Sequence, residues 1–410
     1  MDFRDTPQEA AFRAECRRFL EANAERRTGS FETWPARWGE AEGLRRAKEF
    51  QRRKAEAGLA AITWPKEYGG RAESPIMQVI YNQEEAGFVV PRGYFEIGLG
   101  MCIPTMMAHA TGAQKQRYVA RAIAGEEIWC QLFSEPAAGS DLAGLRTRSV
   151  RDGDTWIING QKIWTSGAHF ADHGIIVTRS DPRAPKHKGL TFFFLDMKSP
   201  GIEVRRIKQI SGASNFNEVY FTDVRVPDAQ RLGAVGQGWG VAITTLMNER
   251  LAVGDVRGPD FDEIFHLART IGLEDGPAIE NAAVRERLAD WYVRQQGLRW
   301  TKFRTMTALS RGQTPGPEAS IGKIVSASKL QEIASFALDL MDMGGTVMDP
   351  ALAPTRAAFQ EALLYAPGAR IAGGTDEILK NILAERVLGL PADIRVDKDP
   401  PFEDLPTGHR

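Results

Sequence analysis

The sequence is poor in the residues that build disulfide or metal frameworks. It has only three cysteines among 410 residues, Cys16, Cys102 and Cys130, far apart and odd in number, which excludes a disulfide scaffold or a cysteine metal cluster. The six histidines show no ligand spacing; His169 and His173 are four apart, but no other Cys or His pair joins them. Charge of either sign is not in excess, with 52 basic against 53 acidic residues, so nothing argues for nucleic acid or an anionic membrane as partner. No secretory signal and no apolar run of membrane-spanning length is present, and the expectation is a cytoplasmic protein with a sizeable core. No G-x-G-x-x-G follows a strand, which argues against a dinucleotide-binding α/β unit.

What is present falls into three regions. Residues 1–126 read as helices: Thr6 and Glu9 form a capping box around Pro7, a second start stands at Ser74-Pro75, and the Gly- and Met-rich run 94–111 suits a core wall. Residues 127–233 read as closely spaced strands without intervening helices, so an antiparallel sheet or small barrel is expected. Within it "TWIINGQKIW" predicts a hairpin turning at Asn159-Gly160. Residues 234–392 return to long amphipathic helices, and 393–410 form a polar, proline-bearing extended tail. The fold class is α+β.

Two stretches go beyond this grammar. In "IAGGTDEILKNILAERVLGLP" Thr375 is a helix N-cap and Asp376 and Glu377 suit the positive helix end. Ile378, Leu379, Ile382, Leu383 and Val387 make one apolar face, with Gly389 and Pro391 as the stop. Gly373-Gly374 fits either a flexible turn or a backbone laid bare for an anion. In "QLFSEPAAGSDL" the chain leaves a strand through small residues, with Ser, Glu and a Ser-Asp pair in one turn. Trp164 and Ser166 follow in "QKIWTSGAHF".

"LFSEPAAGSDLAGLRTRSVRDGDTWIINGQKIWTSGA" resembles one signature of the acyl-CoA dehydrogenase family, and "IAGGTDEILKNILAERVLGLP" is similar to the other. The order of regions matches over almost the whole chain. The resemblance implies an N-terminal helical domain, a middle β-domain and a C-terminal helical bundle, usually tetrameric, binding FAD and handing electrons to an electron-transfer flavoprotein. It places Gln131, Leu132, Phe133 and Ser134 along the flavin ring, with Trp164, Thr165 and Ser166 against it. Ser140 would face the thioester-pantetheine arm, and Gly374, Thr375 and Glu377 would meet FAD.

Two departures matter. The slot that carries a basic Glu in much of the family is Gly373 here. "TLMNERLAVG" instead matches the minority in which Glu249 is the base, leaving Asn248 and Arg250 to contact the CoA part. The bundle lacks the family's Arg-x-x-Phe-Gly segment, and a usual Gln is Met341, a pattern resembling members that form mixed tetramers with a related subunit. The resemblance thus implies α,β-dehydrogenation of an acyl-CoA. Where many members have Tyr-Glu-Gly this chain has Ala372-Gly373-Gly374, so the resemblance implies two large side chains missing beside the acyl pocket and a bulky or branched acyl group. The alternatives are a non-catalytic partner subunit and a flavin oxidase or monooxygenase on the same fold.

Overall fold

A computed structural model describes residues 5–27, 40–252, 258–310 and 316–406, the side chains of 249–252 and 309–310 excepted. Helices α1 (Pro7–Asn23), α2 (Glu40–Glu56), α3 (Pro75–Glu85), α4 (Ile103–His109) and α5 (Gly112–Ile123) come first. Local chemistry starts two of them: Thr6 with Glu9 and Thr111 with Gln114 form reciprocal capping boxes. One turn of π-helix, Gly98–Cys102, leads into α4. Gly98 lies against strand backbone: a Cβ there would sit 3.4 Å from the Trp129 backbone nitrogen. All three cysteines are buried, and the Cys102 thiol donates to the Cys130 carbonyl at 3.5 Å.

The middle sheet has eight strands: β1 (Trp129–Leu132), β2 (Arg148–Asp152), β3 (Thr155–Ser166), β4 (His173–Arg179), β5 (Leu190–Asp196), β6 (Ile202–Ile207), β7 (Phe216–Pro227) and β8 (Arg231–Leu232). Their order is β8-β5-β4-β2-β3-β7-β6, antiparallel except where β4 meets β1 and, at Arg148 alone, β2. Those two strands share one edge of β4, β1 on residues 173–176 and β2 at Arg179. The chain therefore leaves the sheet at Phe133, where one partner hands that edge to the next.

The run "LTFFFLD" has no polar alternation because both faces of β5 are covered. Phe192 and Phe194 pack toward Met106, Val119 and Val241 of the helices. Phe193 and Leu195 pack on the other face with Trp156, Ile158 and Val219.

The expected hairpin at Asn159-Gly160 is not there. The turn falls at Gly153-Asp154, and β3 runs unbroken through Gly160 with a register shift against β7 between Ile158 and Gly160. Gly160 serves close approach instead: a Cβ would lie 2.5 Å from the Thr147 hydroxyl and 2.7 Å from its Cα, at φ 151°.

Helices α6 (Gly238–Ala252), α7 (Phe261–Thr270), α8 (Ala282–Ser310), α9 (Ser320–Met341), α10 (Ala358–Ile371) and α11 (Asp376–Arg386) complete the α+β fold. Ile264, Leu267, Trp291, Ile333 and Phe359 form their core. The apolar face expected of α11 is buried at Leu379 and half-buried at Ile382 and Leu383, while Ile378 and Val387 remain exposed. The tail turns back onto the middle sheet of its own chain, where Phe402 is buried.

Candidate active site

Strict alternation along β3 would put Trp164 inside. Trp156, Ile158 and Lys162 are buried at even positions, and Trp164 has the same parity. A second register shift, between Lys162 and Thr165, reverses this, burying Thr165 and turning Trp164 out to 56% exposure. Trp164 sits at φ 60°, left-handed backbone that a bulky residue adopts only against a steric cost. The bulge is tied to the end of β1 by the Ile163 N–H, which donates to the Ser134 carbonyl at 2.8 Å. Phe216 meets the indole edge-on at 6.1 Å between centroids. Strain and an uncovered aromatic side chain coincide, which is how ligand surfaces differ from core.

The turn after β1 is pinned from beneath. Glu135 accepts from the Arg146 amide at 2.6 Å, the Thr147 amide at 2.9 Å and the Lys162 ammonium at 2.8 Å. Lys162, fully buried, also donates to the Phe133 carbonyl at 2.9 Å. Burial alone would raise the Glu135 pKa, but the Lys162 charge and these amides hold it below the ordinary carboxylate range. The role of Lys162 was not anticipated from sequence, although its place in register with Trp156 and Ile158 was visible.

The sequence-derived flavin residues gather here. Gln131 and Ser134 are partly exposed, Leu132 and Phe133 form the buried backing, and Ser166 lies beyond the bulge. The Thr165 hydroxyl is buried without a hydrogen-bond partner among the described residues. Ser140 is exposed on the following turn. An uncovered ring, a strained bulge and unspent polar groups fit a planar heteroaromatic cofactor with polar edges.

α6 is fastened one turn before its functional end. The Thr245 hydroxyl meets that of Thr105 at 2.9 Å in the core, and His109 Nε2 meets the Thr244 hydroxyl at 2.9 Å. Asn248 donates one amide hydrogen to the Thr244 carbonyl at 3.0 Å, which leaves its second N–H and its carbonyl oxygen for other contacts. Glu249 and Arg250 occupy the next positions of α6, and their side chains lie outside the described residues.

Gly374, Thr375 and Glu377 lie at the start of α11. Thr375 caps α11 by accepting from the Ile378 amide at 3.2 Å. Gly373 and Gly374 have φ 66° and 95°, so backbone conformation alone requires glycine, whatever is bound. The bonds that hold this turn come from α9 and α10: Lys323 donates to the Gly374 carbonyl at 2.6 Å and Arg370 to Asp376 at 2.7 Å. Asp376 is thus a buried carboxylate with one oxygen, Oδ2, taken by Arg370, whereas Glu377 is exposed.

The chain is thus a three-part helix–sheet–helix fold with an exposed, strained aromatic side chain where the sheet edge changes partner. Residues 6–126, 130–224 and 236–388 match the N-terminal, middle and C-terminal domains of acyl-CoA dehydrogenases, respectively. The chain belongs to that family, whose members are FAD-dependent flavoproteins. It is 41% identical over 339 residues to acyl-CoA dehydrogenase FadE34 of Mycobacterium tuberculosis; the match covers 82% of this chain but only 45% of FadE34. Among solved structures, the ChsE4-ChsE5 complex of M. tuberculosis is similar at 27% identity and TM-score 0.77, covering 96% of this chain and 100% of that one. The Tcur3481-Tcur3483 steroid ACAD is similar at 28% and 0.77, with the same coverage. No described helix is long and apolar enough to cross a membrane.

Proposed function

We propose that the chain catalyses FAD-dependent α,β-dehydrogenation of a bulky acyl-CoA thioester, with an electron-transfer flavoprotein as acceptor. The observation that carries this is Trp164, uncovered and strained on a bulge bonded to Ser134. FAD, when bound, accepts the substrate β-hydrogen as hydride. Gln131 and Ser134 offer polar groups to the flavin edge, Trp164 packs on the ring, and the Thr165 and Ser166 hydroxyls complete that contact. Glu249 removes the α-proton, and Ser140, Asn248 and Arg250 orient the thioester and its CoA part. Gly374, Thr375 and Glu377 serve the remote half of FAD.

The bulky acyl group is supported by the missing side chains at Ala372-Gly373-Gly374 and by a steroid enzyme among the similar structures. A second, related subunit is supported by the ChsE4-ChsE5 pairing, by the greater length of FadE34 and by the exposed Ile378 and Val387 of α11.

Two measurements test this. The purified chain should be yellow and bleach anaerobically with branched, cyclic or steroid-side-chain acyl-CoA thioesters better than with butyryl-CoA. A colourless protein that gains FAD only with a homologue marks a partner subunit, rapid oxygen uptake without acceptor marks an oxidase, and best activity on butyryl-CoA removes the size argument. Trp164→Gly separates ligand from core. Glycine accepts φ 60° without strain, so the FAD-free variant should melt no lower than its parent. FAD retention should nevertheless weaken by about one to a few kcal/mol. Unchanged FAD affinity would show that the indole does not meet the flavin.

A further inference from the structure

The tail lies beyond residue 388, where the match to the family's C-terminal domain stops, yet it makes specific contacts with the middle sheet. Phe402 N–H donates to the Ala184 carbonyl at 3.1 Å, and Glu403 N–H to that of Pro182 at 3.0 Å. The buried Phe402 ring lies 3.7 Å from the Arg179 guanidinium carbon and 5.2 Å from that of Arg146. Arg179 is itself buried, and burial pushes its pKa down to about 10. Its two terminal nitrogens donate to the Lys186 carbonyl at 2.7 Å and the Ala143 carbonyl at 2.5 Å. A few residues earlier, Asp397 pairs with Lys186, whose ammonium also reaches Asp141 at 3.0 Å. The tail thus grips, through Arg179 and Lys186, both ends of the short segment that follows Ser140.

Resting on the acyl-CoA dehydrogenase reading, we propose that Phe402 and Asp397 are positioning residues for the thioester-binding turn Ser140–Ala143, with the tail as a strap across it. A guanidinium shielded by an aromatic face keeps its hydrogen bonds to carbonyls out of competition with water. If the ring is removed, water reaches Arg179 and the Ala143 carbonyl loses its fixed donor. The turn then opens locally while the sheet beneath, with its two packed faces, stays closed.

The test compares Phe402→Ala, Phe402→Leu, Phe402→Tyr and Asp397→Asn in the full chain. Hydrogen exchange of the Gly144 and Leu145 amides, which close this turn onto Asp141 and Leu142, should speed up about tenfold in Phe402→Ala. The amides of β5 should exchange as in the parent. KM for the acyl-CoA that best bleaches the parent should rise about tenfold, as expected for loss of one desolvated cation–π contact, with little change in kcat or FAD content. Phe402→Tyr should restore both readouts. Phe402→Leu, which keeps burial without the ring, should fall between, and Asp397→Asn should move them in the same direction. Unchanged exchange at Gly144 and Leu145 overturns the strap. Faster exchange with an unchanged KM overturns the substrate role of the turn. Faster exchange in a chain that no acyl-CoA reduces keeps the strap but sinks the dehydrogenase reading and the substrate role with it.

Discussion

Glu249→Gln should cut flavin reduction by acyl-CoA by about 10²–10⁴-fold, the usual contribution of a positioned general base. FAD content and acyl-CoA binding should remain, since glutamine keeps the size and the hydrogen-bonding atoms. The expectation rests on the order of residues along α6. Thr244 and Thr245 anchor the helix to His109 and Thr105, and Glu249 stands one turn beyond Thr245. The other candidates are weaker: Asp376 is engaged by Arg370 and lies near Lys323, and Gly373 carries no acid. Rescue by Gly373→Glu in the Glu249→Gln background should be poor, because φ 66° strains any side chain placed there. Stopped-flow reduction at the parental rate in Glu249→Gln would move the base to Glu377 or to a partner subunit.

Lys162→Met should destabilise the chain by about 3–5 kcal/mol, the range for breaking one side of a buried ion pair. Glu135 would keep its two backbone amides but lose its cation, and the Phe133 carbonyl would lose its donor. The pH dependence should change sign. In the parent, Glu135 is held below the ordinary carboxylate range, so its stabilisation is present at neutral pH and is lost as pH falls through that lowered value. Without Lys162, burial prevails and the folded-state pKa rises above the unfolded one. The variant then gains stability as pH falls, and the gap in denaturation midpoint between variant and parent should narrow from pH 8 to pH 5. Glu135→Gln combined with Lys162→Met should recover part of the loss. A gap that stays constant with pH would mean that the two side chains are not an ionised pair.

Much of the architecture was legible because its signals are local. The Thr6–Glu9 box, the Ser74-Pro75 start and the Thr375 cap each depend on residues within one turn, and each is found where the sequence places it. The order of helices, strands and helices follows from periodicity alone. The Asn159-Gly160 hairpin failed because glycine has two uses. The dipeptide favours a turn, but here Gly160 is required by Thr147, just before a neighbouring strand, a contact no local pattern reveals. Trp164 could be singled out as a residue, whereas its outward direction depends on a bulge that reverses the alternation. The tail was the least legible part. "DPPFEDLP" reads as surface, and Phe402 gains its partners only when Arg146 and Arg179 arrive from distant parts of the chain.

The three cysteines carry a practical consequence. All are sealed in the core, and burial pushes the thiols of Cys16 and Cys130 up to about 12 and that of Cys102 upward as well. Thiolate, not thiol, reacts with maleimides and with oxidants, so the folded chain is close to silent toward both. A single cysteine introduced at exposed Asp399 would therefore be the dominant labelling site without removal of the native three. A fluorophore there would report directly whether the tail stays down or lifts as an acyl-CoA arrives, and the slow appearance of native thiol reactivity would clock global opening in the same sample.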